Sequence, residues 1–522
     1  MTDTPRPAGH RASGVDRADR AYRAYRDVST GSRDFIARHG LWDDHRREAA
    51  AELEASLEPL DFVRLVFADP HGLPRSKTLT ADAFRTVLRN GMDHSPGPFV
   101  FDTGHATAVD FTAPGGGIGL DELLGAGDFV LVPDPLTFRE LPYTGPRTGW
   151  VVGDEYLRSG APHPLSSRGL LRRLCAGLRE KELDYVVGLE VEWYLTRLVD
   201  RPYAGRPGGF GVQGRPPVVQ PVNGGYQFNL EGLTDALEPV LAPLTRALTD
   251  MGLPLRSVEH ESGPGQLEFT FAPQSALDAA DTMLLFRATA KQVCARLGHH
   301  ASFMALPGLP GFDASGWHLH QSLARAATRE NLFTSPDGER ALSETGERFL
   351  AGLLAHAADA ALLCVPTVNG YRRMGDRFSL APTRAAWSVE NRGAFLRVLG
   401  AYGDPAAHIE NRMGEPCANP YLYLAGQLAA GLDGIERKLV PGGPAADPHD
   451  RALPPLPRDL REALDALAAS DFYREVLGDP LTECLLRLKE SELRRYTAWQ
   501  AGAAADDAHH IEWEHREYFA TY

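Results

Sequence analysis

Residues 188–195 read Gly-Leu-Glu-Val-Glu-Trp-Tyr-Leu, and this stretch restricts the possible folds of the chain more than any other. Side chains two apart in a strand point to the same face, so Glu190 and Glu192 share one face. A lone pair of this kind on an exposed strand could be kept hydrated by water. The flanking residues are apolar, however, and predict a buried strand. Buried carboxylates must be paired, protonated or bound to a metal ion.

A second pair of carboxylates lies in residues 257–271, SVEHESGPGQLEFTF. The alternation of apolar residues on both sides of residues 263–265, Gly-Pro-Gly, predicts a strand, a turn and a second strand. This turn brings Glu261 and Glu268 to one cleft, with Glu259 earlier in the first strand.

Two further segments add imidazole and carboxylate groups. His318 and His320 have strand spacing in GWHLHQSL, and Glu410 stands beside Arg412 in AHIENRMGEPCANPY. A lone histidine is more often structural than a metal ligand, and two on one strand face leave the question open. Oxygen ligands with one imidazole suit Mg²⁺ or Mn²⁺ better than zinc. Each motif is weak alone, but together they predict a multi-metal carboxylate site.

Four arginines lie in otherwise apolar, motif-like segments: Arg373, Arg392, Arg397 and Arg412. Structural salt bridges are the commoner role for any single arginine. Four of them near acidic metal ligands favour bidentate binding of phosphate and carboxylate. Metal ions and arginines around phosphate oxygens are what phosphoryl transfer requires.

Composition excludes several other classes of protein. The net charge of −15 argues against a nucleic-acid partner, and no apolar run has membrane-spanning length. Five scattered cysteines predict free thiols in a reducing cytoplasm. The polar, Arg-rich residues 1–30 read as a disordered tail rather than a secretory signal. The phosphate-loop motif GxxxxGK[ST], the dinucleotide motif GxGxxG and the hydrolase motif GxSxG are all absent.

In this order, the motifs resemble those of the glutamine synthetase family over about residues 58–517, including NGYRRM, ENRGAFLRV and ANPYLYLAGQLAAGLDGI. The resemblance implies an α+β fold. A small β-grasp-like domain over residues 31–150 precedes a catalytic domain over 160–522, whose curved antiparallel sheet is flanked by helices. It also implies a homo-oligomer of two stacked hexameric rings, with each active site between neighbouring subunits.

The resemblance assigns roles residue by residue. Two or three Mg²⁺ or Mn²⁺ ions are implied, with one ligand set near the acid substrate and one near the ATP phosphates: Glu192, Glu261 and Glu268, then Glu190, His318 and Glu410. The positions beside ATP are His320, Ser322, Arg392 and Arg397. The positions near the acid and amine are Arg373, Arg412, Gly265, Gln266, Glu192 and Leu380. The groups implied in catalysis are Arg392, Arg397, Arg412 and Glu410.

Departures from the family pattern bear on the substrate. Ammonia-using members carry a glutamate before an Ala-Pro pair, where this chain has Leu380, and leucine cannot accept a proton. Asp376 is a weak substitute, and Asp93 and Asp102 are candidates for the family's second ammonium-binding acid. Asp313-Ala314 replaces an Asn-Gly near the substrate amino group, and His408 replaces an arginine.

The sequence therefore predicts a carbon–nitrogen ligase that joins the γ-carboxylate of glutamate, or a related acid, to an organic amine through an acyl phosphate. Two alternatives stay open, an ammonium-using glutamine synthetase and a non-catalytic scaffold of the same fold. Retention of six metal ligands argues against the scaffold, since an inactive site has no physical reason to keep buried like charges.

Overall fold

The computed structural model describes residues 34–200, 210–375, 380–502 and 507–522. The predicted tail over residues 1–30 lies outside these ranges, as does Asp376. In the part of the chain so described, no helix is both long and apolar enough to cross a membrane.

The N-terminal part builds a six-stranded sheet. Its strands are β1 (Phe62–Ala68), β2 (Pro74–Thr80), β3 (Met92–His94), β4 (Phe129–Pro133), β5 (Arg139–Glu140) and β6 (Thr148–Tyr156). The order is β2-β1-β6-β4-β3, with β5 also on β6, and only β1 and β6 run parallel. The helices of this part are α1 (Phe35–His39), α2 (Asp44–Ser56), α3 (Ala81–Asn90) and α4 (Gly97–Val100). β1 and β2 form an antiparallel hairpin.

The larger sheet has nine strands and is curled into a half-barrel. They are β7 (Leu183–Asp200), β8 (Val218–Pro221), β9 (Leu255–His260), β10 (Gln266–Ser275), β11 (His299–Ser302), β12 (Trp317–Arg325), β13 (Trp387–Val389), β14 (Leu396–Leu399) and β15 (His408–Asn411). The order is β13-β14-β15-β12-β7-β10-β9, with β8 and β11 also on β7. All pairs are antiparallel except β13 with β14.

Helices flank this sheet and fill the C-terminal part. They are α5 (Ser167–Arg179), α6 (Glu231–Ala236), α7 (Glu238–Asp250), α8 (Ala276–Arg296), α9 (Glu344–Ala355), α10 (Ala361–Cys364), α11 (Pro420–Glu436), α12 (Leu460–Ala469), α13 (Asp471–Leu477), α14 (Asp479–Ala501) and α15 (Asp507–Glu514). The predicted α+β fold with a curved antiparallel sheet is confirmed. The boundaries at residues 150 and 160, and the β-grasp character of the first part, stay predictions.

Two helical stretches of the chain are interrupted. Residues 231–252 form α6 and α7 rather than one helix, and Pro239 stands in the first turn of α7. Proline has no N–H to donate and disfavours helical geometry in the residue before it, so the helix restarts there. Residues 345–363 likewise form α9 and α10, because the chain leaves helical geometry at His356, which has a φ of −106° and a ψ of 15°.

Alternation along β7 separates the core from the functional face. Val187, Leu189, Val191 and Trp193 are at most 1% exposed and face the side where α5 and α8 pack. Burying a side chain of this size stabilises the fold by roughly 1.5–3 kcal/mol. The intervening Glu190 and Glu192 therefore lie on the opposite, polar face, as the sequence predicted.

The turn of the first hairpin docks onto the start of α11. Asn419 caps this helix by accepting from the N–H groups of Tyr421 and Leu422, and its amide donates to the carbonyl oxygens of Asp69 and Pro70. A Cβ on Gly72 would lie 2.6 Å from the Asn419 Cα, and Gly72 has a φ of +76°. Only glycine fits this close approach, which explains why the Ala-Asn-Pro-Tyr segment is so restrictive.

Candidate active site

A cavity of about 1230 Å³ runs along the polar face of the large sheet. The register of β7 against β12 gives it two ends. Glu190 is paired with His318, whereas Val186 is paired with Ser322, four residues further along β12. The cavity lining includes both Ser322 and, beyond the other end of β12, Asp313.

Three groups of side chains in this cavity could hold a cation, each with ligand atoms within 4.8 Å of one another. They are Glu190 with Glu268 and His318, Glu190 with His320 and Glu410, and Glu259 with Glu261 and Glu268. The donors are carboxylate oxygens with one imidazole at most in each group. This donor set fits Mg²⁺ or Mn²⁺.

Carboxylate crowding is visible in the pKa values. Burial, together with the nearby Glu190 and Glu192, raises the pKa of Glu268 to about 10. Burial and the neighbouring Glu261 raise the pKa of Glu192 to about 8, and burial with Glu259 raises that of Glu261 to about 7. Without a cation these groups hold protons at neutral pH, so a cation entering the cavity must displace them.

Glu190 is held by both histidines of β12. His318 Nδ1 lies 2.6 Å from Glu190 Oε1, and His320 Nε2 lies 3.0 Å from Glu190 Oε2. The other ring nitrogen of His320 lies 3.0 Å from His408 Nε2. β12 thus places two imidazoles on Glu190, and β15 adds a third imidazole, that of His408, which contacts His320.

Two predicted arginines converge on Glu410, which is fully buried. Arg397 donates through Nη1 to Glu410 Oε2 at 3.2 Å, and Arg412 donates to Oε1. Burial alone would favour the protonated form, but Arg412 outweighs it and lowers the pKa of Glu410. The Arg397 Nε atom is buried without a hydrogen-bond partner in the described structure, which leaves a donor for an anionic ligand.

The remaining two arginines differ in exposure. Arg373 is 4% exposed, and its guanidinium donates to the carbonyl oxygens of Arg412, Met413 and Gly414. Arg392 is exposed, and its carbonyl oxygen accepts from Arg412 Nε at 2.8 Å. Both residues line the cavity.

The turn after β9 places Gln266 under Glu192. The Gln266 amide donates to Glu192 Oε2 at 3.3 Å and to the Ala314 carbonyl oxygen at 3.1 Å. Gly265 has a φ of +77°, and a Cβ there would lie 2.3 Å from the Leu195 carbonyl oxygen. The glycine lets the turn pack directly on β7 and so fixes Gln266.

Apolar side chains also line the cavity. They include Leu306, Phe312, Leu380 and Ala381. Leu380 is 46% exposed and has a φ of +52°, a left-handed conformation that is rare for leucine. The exposed Asp313, which follows Phe312 in the chain, also lines the cavity, and its backbone N–H donates to the Tyr194 hydroxyl at 2.6 Å.

The profile of the glutamine synthetase catalytic domain matches residues 164–505. The chain belongs to the glutamine synthetase family. It is therefore a carbon–nitrogen ligase, in a family that uses ATP and divalent Mg²⁺ or Mn²⁺ with small-molecule substrates.

Several relatives of this glutamine synthetase family member cover most of its length. It is 42% identical over 495 residues to a gamma-glutamylanilide synthase from Acinetobacter sp, covering 93% of this chain and 98% of the relative. It is 31% identical over 459 residues to a glutamine synthetase from Methanosarcina mazei, covering 85% and 94%. A solved structure described as a GmaS/ADP complex superposes with a TM-score of 0.70 at 26% identity, covering 87% of this chain and 97% of that one.

Most predicted site residues of this glutamine synthetase family member line the cavity, although Glu410 and Gly265 lie behind its wall. Glu192 stands on the predicted face, but its Oε2 accepts from Gly316 N–H at 2.9 Å rather than joining a three-ligand group. The sequence analysis named Glu259 and His408 but gave neither a ligand role, and it did not single out Arg372 among the cavity residues. The two-residue spacing of Glu259 and Glu261 was the signal that could have added Glu259 to the ligand set.

Proposed function

We propose that this protein is a γ-glutamyl–amine ligase. ATP phosphorylates the γ-carboxylate of glutamate, and an organic amine then attacks the acyl carbon and displaces phosphate. The amide bond forms as the carbon–oxygen bond to phosphate breaks, and the nitrogen of the neutral amine gives up one proton to the released phosphate or to solvent. The Acinetobacter relative, a gamma-glutamylanilide synthase at 42% identity, supports this choice of product class.

The observation that carries the proposal is Leu380 in the cavity wall. Ammonium needs carboxylates to bind it and accept its proton, whereas an apolar wall stabilises the carbon skeleton of an organic amine. Leu380 lines the same cavity as Leu306, Phe312, Ala381 and Arg373, the residue expected near the acid. This wall suits a flat or bulky apolar amine such as an aniline.

The carboxylates and His318 form the proposed metal-binding part. Glu192, Glu261 and Glu268 would hold one ion, and Glu190, His318 and Glu410 would hold another. A third ion would share Glu190 as a ligand. When bound, the cations neutralise phosphoryl oxygens. The protein's part is to fix these ligands, and Gln266 and Gly316 do so for Glu192.

The arginines form the proposed phosphate-binding part. Arg397 and Arg412 are preorganised by Glu410, and Arg392 projects from the loop that Arg412 holds. Fixed positive charges that face the developing negative charge lower the barrier without reorganisation. His320 and Ser322 lie further along β12 and mark the nucleotide end, while Arg373, Gly265 and Gln266 border the acid.

Asp313 is proposed to bind the substrate's ammonium group. It stands where the resemblance expects Asn-Gly near that group, and Tyr194 fixes its backbone through two hydrogen bonds. A carboxylate at this place forms a charge-assisted hydrogen bond with the α-ammonium of glutamate.

Assembly completes the proposal. We infer a cytoplasmic dodecamer of two hexameric rings in which the first sheet borders the site of the next subunit. Asp93 on β3 carries an exposed carboxylate paired with Arg158 at 3.1 Å, so it can face a neighbour. Asp102 is buried and hydrogen-bonded within its own subunit, so Asp93 is the better candidate to border the amine pocket.

An amine panel tests the reaction. With Mg²⁺, ATP and glutamate, we expect ADP release to be stimulated by aniline and other apolar amines more than by ammonium, and the γ-glutamyl amide to be found by mass spectrometry. Trapping with hydroxylamine in place of the amine is expected to give the hydroxamate of an activated γ-carboxylate. Turnover with ammonium alone would contradict the proposal, and so would failure with every amine and acid.

A further inference from the structure

The loop over residues 305–315 lies between β11 and β12 and carries part of the cavity lining. Its Leu306 and Asp313 both line the cavity. The two ends of the loop meet, because the Ser315 N–H donates to the Ala305 carbonyl oxygen at 2.6 Å. A loop whose ends are joined is a compact unit, so a contact at one place on it can affect the side chains that face the cavity.

Gln266 connects this loop to the part of the cavity that holds Glu192. The Gln266 amide donates to the Ala314 carbonyl oxygen and to the Ser315 hydroxyl, both at 3.1 Å. The same amide donates to Glu192 Oε2 at 3.3 Å. The loop therefore closes at the Glu192 end of the cavity, where the acid is proposed to bind.

Asn369 holds the first part of the loop from a different segment of the chain. The Leu306 N–H donates to Asn369 Oδ1 at 2.8 Å, and Asn369 Nδ2 donates to the Leu306 carbonyl oxygen at 3.0 Å. Asn369 Nδ2 also donates to Glu514 Oε2 at 2.7 Å. Glu514 is the last residue of α15 and is fully buried, so a buried carboxylate fixes the amide that holds Leu306.

Glu514 also contacts a second residue of the cavity lining. Its Oε1 accepts from Arg372 Nε at 2.6 Å, and Arg372 lines the cavity. Both partners of Glu514 are donors, and each carboxylate oxygen accepts from one of them. A glutamine at this position would turn its own NH₂ group toward one of these donors, so at least one of the two bonds would be lost.

His515, the residue after α15, contacts the loop at a second place. Its Nε2 accepts from the Gly308 N–H at 2.8 Å. Burial lowers the pKa of His515 to about 4, so the ring is neutral at pH 7 and Nε2 stays an acceptor. Ile511, one turn earlier, is so close that a Cβ on Gly308 would lie 1.9 Å from its Cγ2. The end of α15 thus supports the loop both through Asn369 and directly.

We propose that Glu514 is a positioning residue that holds the loop over residues 305–315 through Asn369, and so sets how the enzyme binds the acid and the amine. The inference rests on the proposed function, which assigns Asp313 to the ammonium group of the acid and Leu306 to the apolar lining. Glu514 itself is not part of the cavity lining. Its effect is therefore expected in the binding of the acid and the amine, whereas ATP is proposed to bind at the other end of the cavity.

Two variants of the full-length protein that keep the shape of the side chain test the proposal. Glu514→Gln removes at least one hydrogen bond of the support. Glu512→Gln is the matched control, because Glu512 lies on the same helix, is exposed and pairs with Arg516. If Glu514→Gln does not fold, Glu514→Asp takes its place, since it keeps the charge but is one methylene too short to reach both donors.

Hydrogen exchange without substrates measures the support directly. The N–H groups of Leu306 and Gly308 are the reporters, because both donate to side chains of this support. We expect a peptide that spans residues 305–313 to exchange about three- to tenfold faster in Glu514→Gln, the effect of losing one hydrogen bond of ordinary strength. Glu512→Gln should exchange like the wild type. Unchanged exchange in Glu514→Gln, or equal exchange in the two variants, would overturn the proposal.

Steady-state kinetics separate positioning from a loss of folded enzyme. We expect KM for glutamate and KM for the amine to rise about three- to tenfold in Glu514→Gln, while KM for ATP changes by less than about twofold. A variant that only folds less well would have a lower kcat and three unchanged KM values. That result would overturn the proposal.

The amine reaction and the role of Glu514 fail separately, because exchange is measured without acid, amine or ATP. An inactive amine panel together with faster exchange in Glu514→Gln would overturn the proposed reaction and leave the role of Glu514 in holding the loop standing. Turnover of aniline together with unchanged exchange would do the reverse.

Discussion

Glu192 on β7 and Glu268 on β10 are direct cross-strand partners on the polar face of the large sheet. Like charges in this arrangement destabilise a sheet, by roughly 0.2–1 kcal/mol on a surface. Here the pair is kept at the centre of the cavity and Glu268 has its pKa raised to about 10 by burial and neighbouring carboxylates. We therefore interpret this unfavourable pairing as part of a cation-binding site, where the charge of the cation offsets the repulsion between the two carboxylates.

The substitution Glu268→Gln should therefore remove most of the effect of Mg²⁺ on the melting temperature. Glutamine resembles the protonated acid, so the melting temperature without metal is expected to stay the same or rise slightly at pH 7. The increase in melting temperature caused by Mg²⁺ should largely disappear, because a ligand has been lost. Thermal unfolding with and without Mg²⁺ measures both effects, with exposed Glu436→Gln as the control. A metal-dependent increase equal to that of wild type would refute the role of Glu268.

Metal affinity should rise with pH. Glu261 and Glu192 have pKa values raised to about 7 and 8, so they bind protons more tightly folded than unfolded. Their protonation stabilises the metal-free fold below about pH 4.5, and this stabilisation is lost as pH rises through 7 to 8. Calorimetry in buffers of different ionisation enthalpy should detect proton release when Mg²⁺ binds at pH 7. An affinity independent of pH between 6 and 9 would contradict the prediction.

Leu380→Glu should move the preference toward ammonium. The new carboxylate supplies a group that binds ammonium and accepts its proton, and it spoils the apolar wall. We expect the ratio of kcat/KM for aniline to that for ammonium to fall by about tenfold or more, since each 1.4 kcal/mol is a factor of ten. Leu380→Gln has nearly the same shape without the charge and serves as the matched control. Equal behaviour of the two variants would show that charge is not the determinant.

Arg412→Lys should impair chemistry more than folding. Lysine keeps the charge but cannot donate at once to Glu410 and to the Arg392 carbonyl oxygen. We expect kcat to fall roughly 10²–10³-fold, the typical effect of losing a preorganised donor. The exposed Arg437→Lys, whose guanidinium pairs with Asp433, is the control. Unchanged kcat with raised KM for ATP would assign Arg412 to binding only.

Substitutions of Asp93 and Asp102 should affect different properties, kcat for Asp93 and the free energy of unfolding for Asp102. Asp102→Ala removes the buried acceptor of Ser491 and of Arg495 Nε, although Arg495 keeps its ion pair with Glu517, so the unfolding free energy should fall by about 1–3 kcal/mol. Asp93→Ala removes an exposed side chain, so its unfolding free energy should hardly change while kcat falls. Denaturant unfolding and steady-state kinetics distinguish the two. An active Asp93→Ala enzyme would exclude this residue from a neighbour's site.

The parts of the site that sequence predicted are those governed by local periodicity. Glu190 and Glu192 alternate with apolar residues, so their common face followed from strand geometry alone. The turn at Gly263–Gly265 likewise fixed the relation of Glu261 to Glu268. These relations need no knowledge of which strands become neighbours.

What sequence could not predict depends on long-range register. His320 and His408 are 88 residues apart in the sequence, and their rings come into contact only because β12 pairs with β15. Arg373 donates to the carbonyl oxygens of residues 412–414, a contact that no motif specifies. The break of the helix at His356 could not be predicted from the local sequence either, because the surrounding alanines favour a helix.

The central position of β7 has a consequence for biosynthesis. β7 pairs with four later strands, and β12 must join it before β15 can bring Glu410 to Glu190. A ribosome has therefore to translate past residue 411 before the group of Glu190, His320 and Glu410 can be completed. Until then a long apolar strand is exposed, and such segments aggregate readily. Slow synthesis between residues 200 and 411, or a shortage of chaperones, should lower the yield of this enzyme more than any event after release.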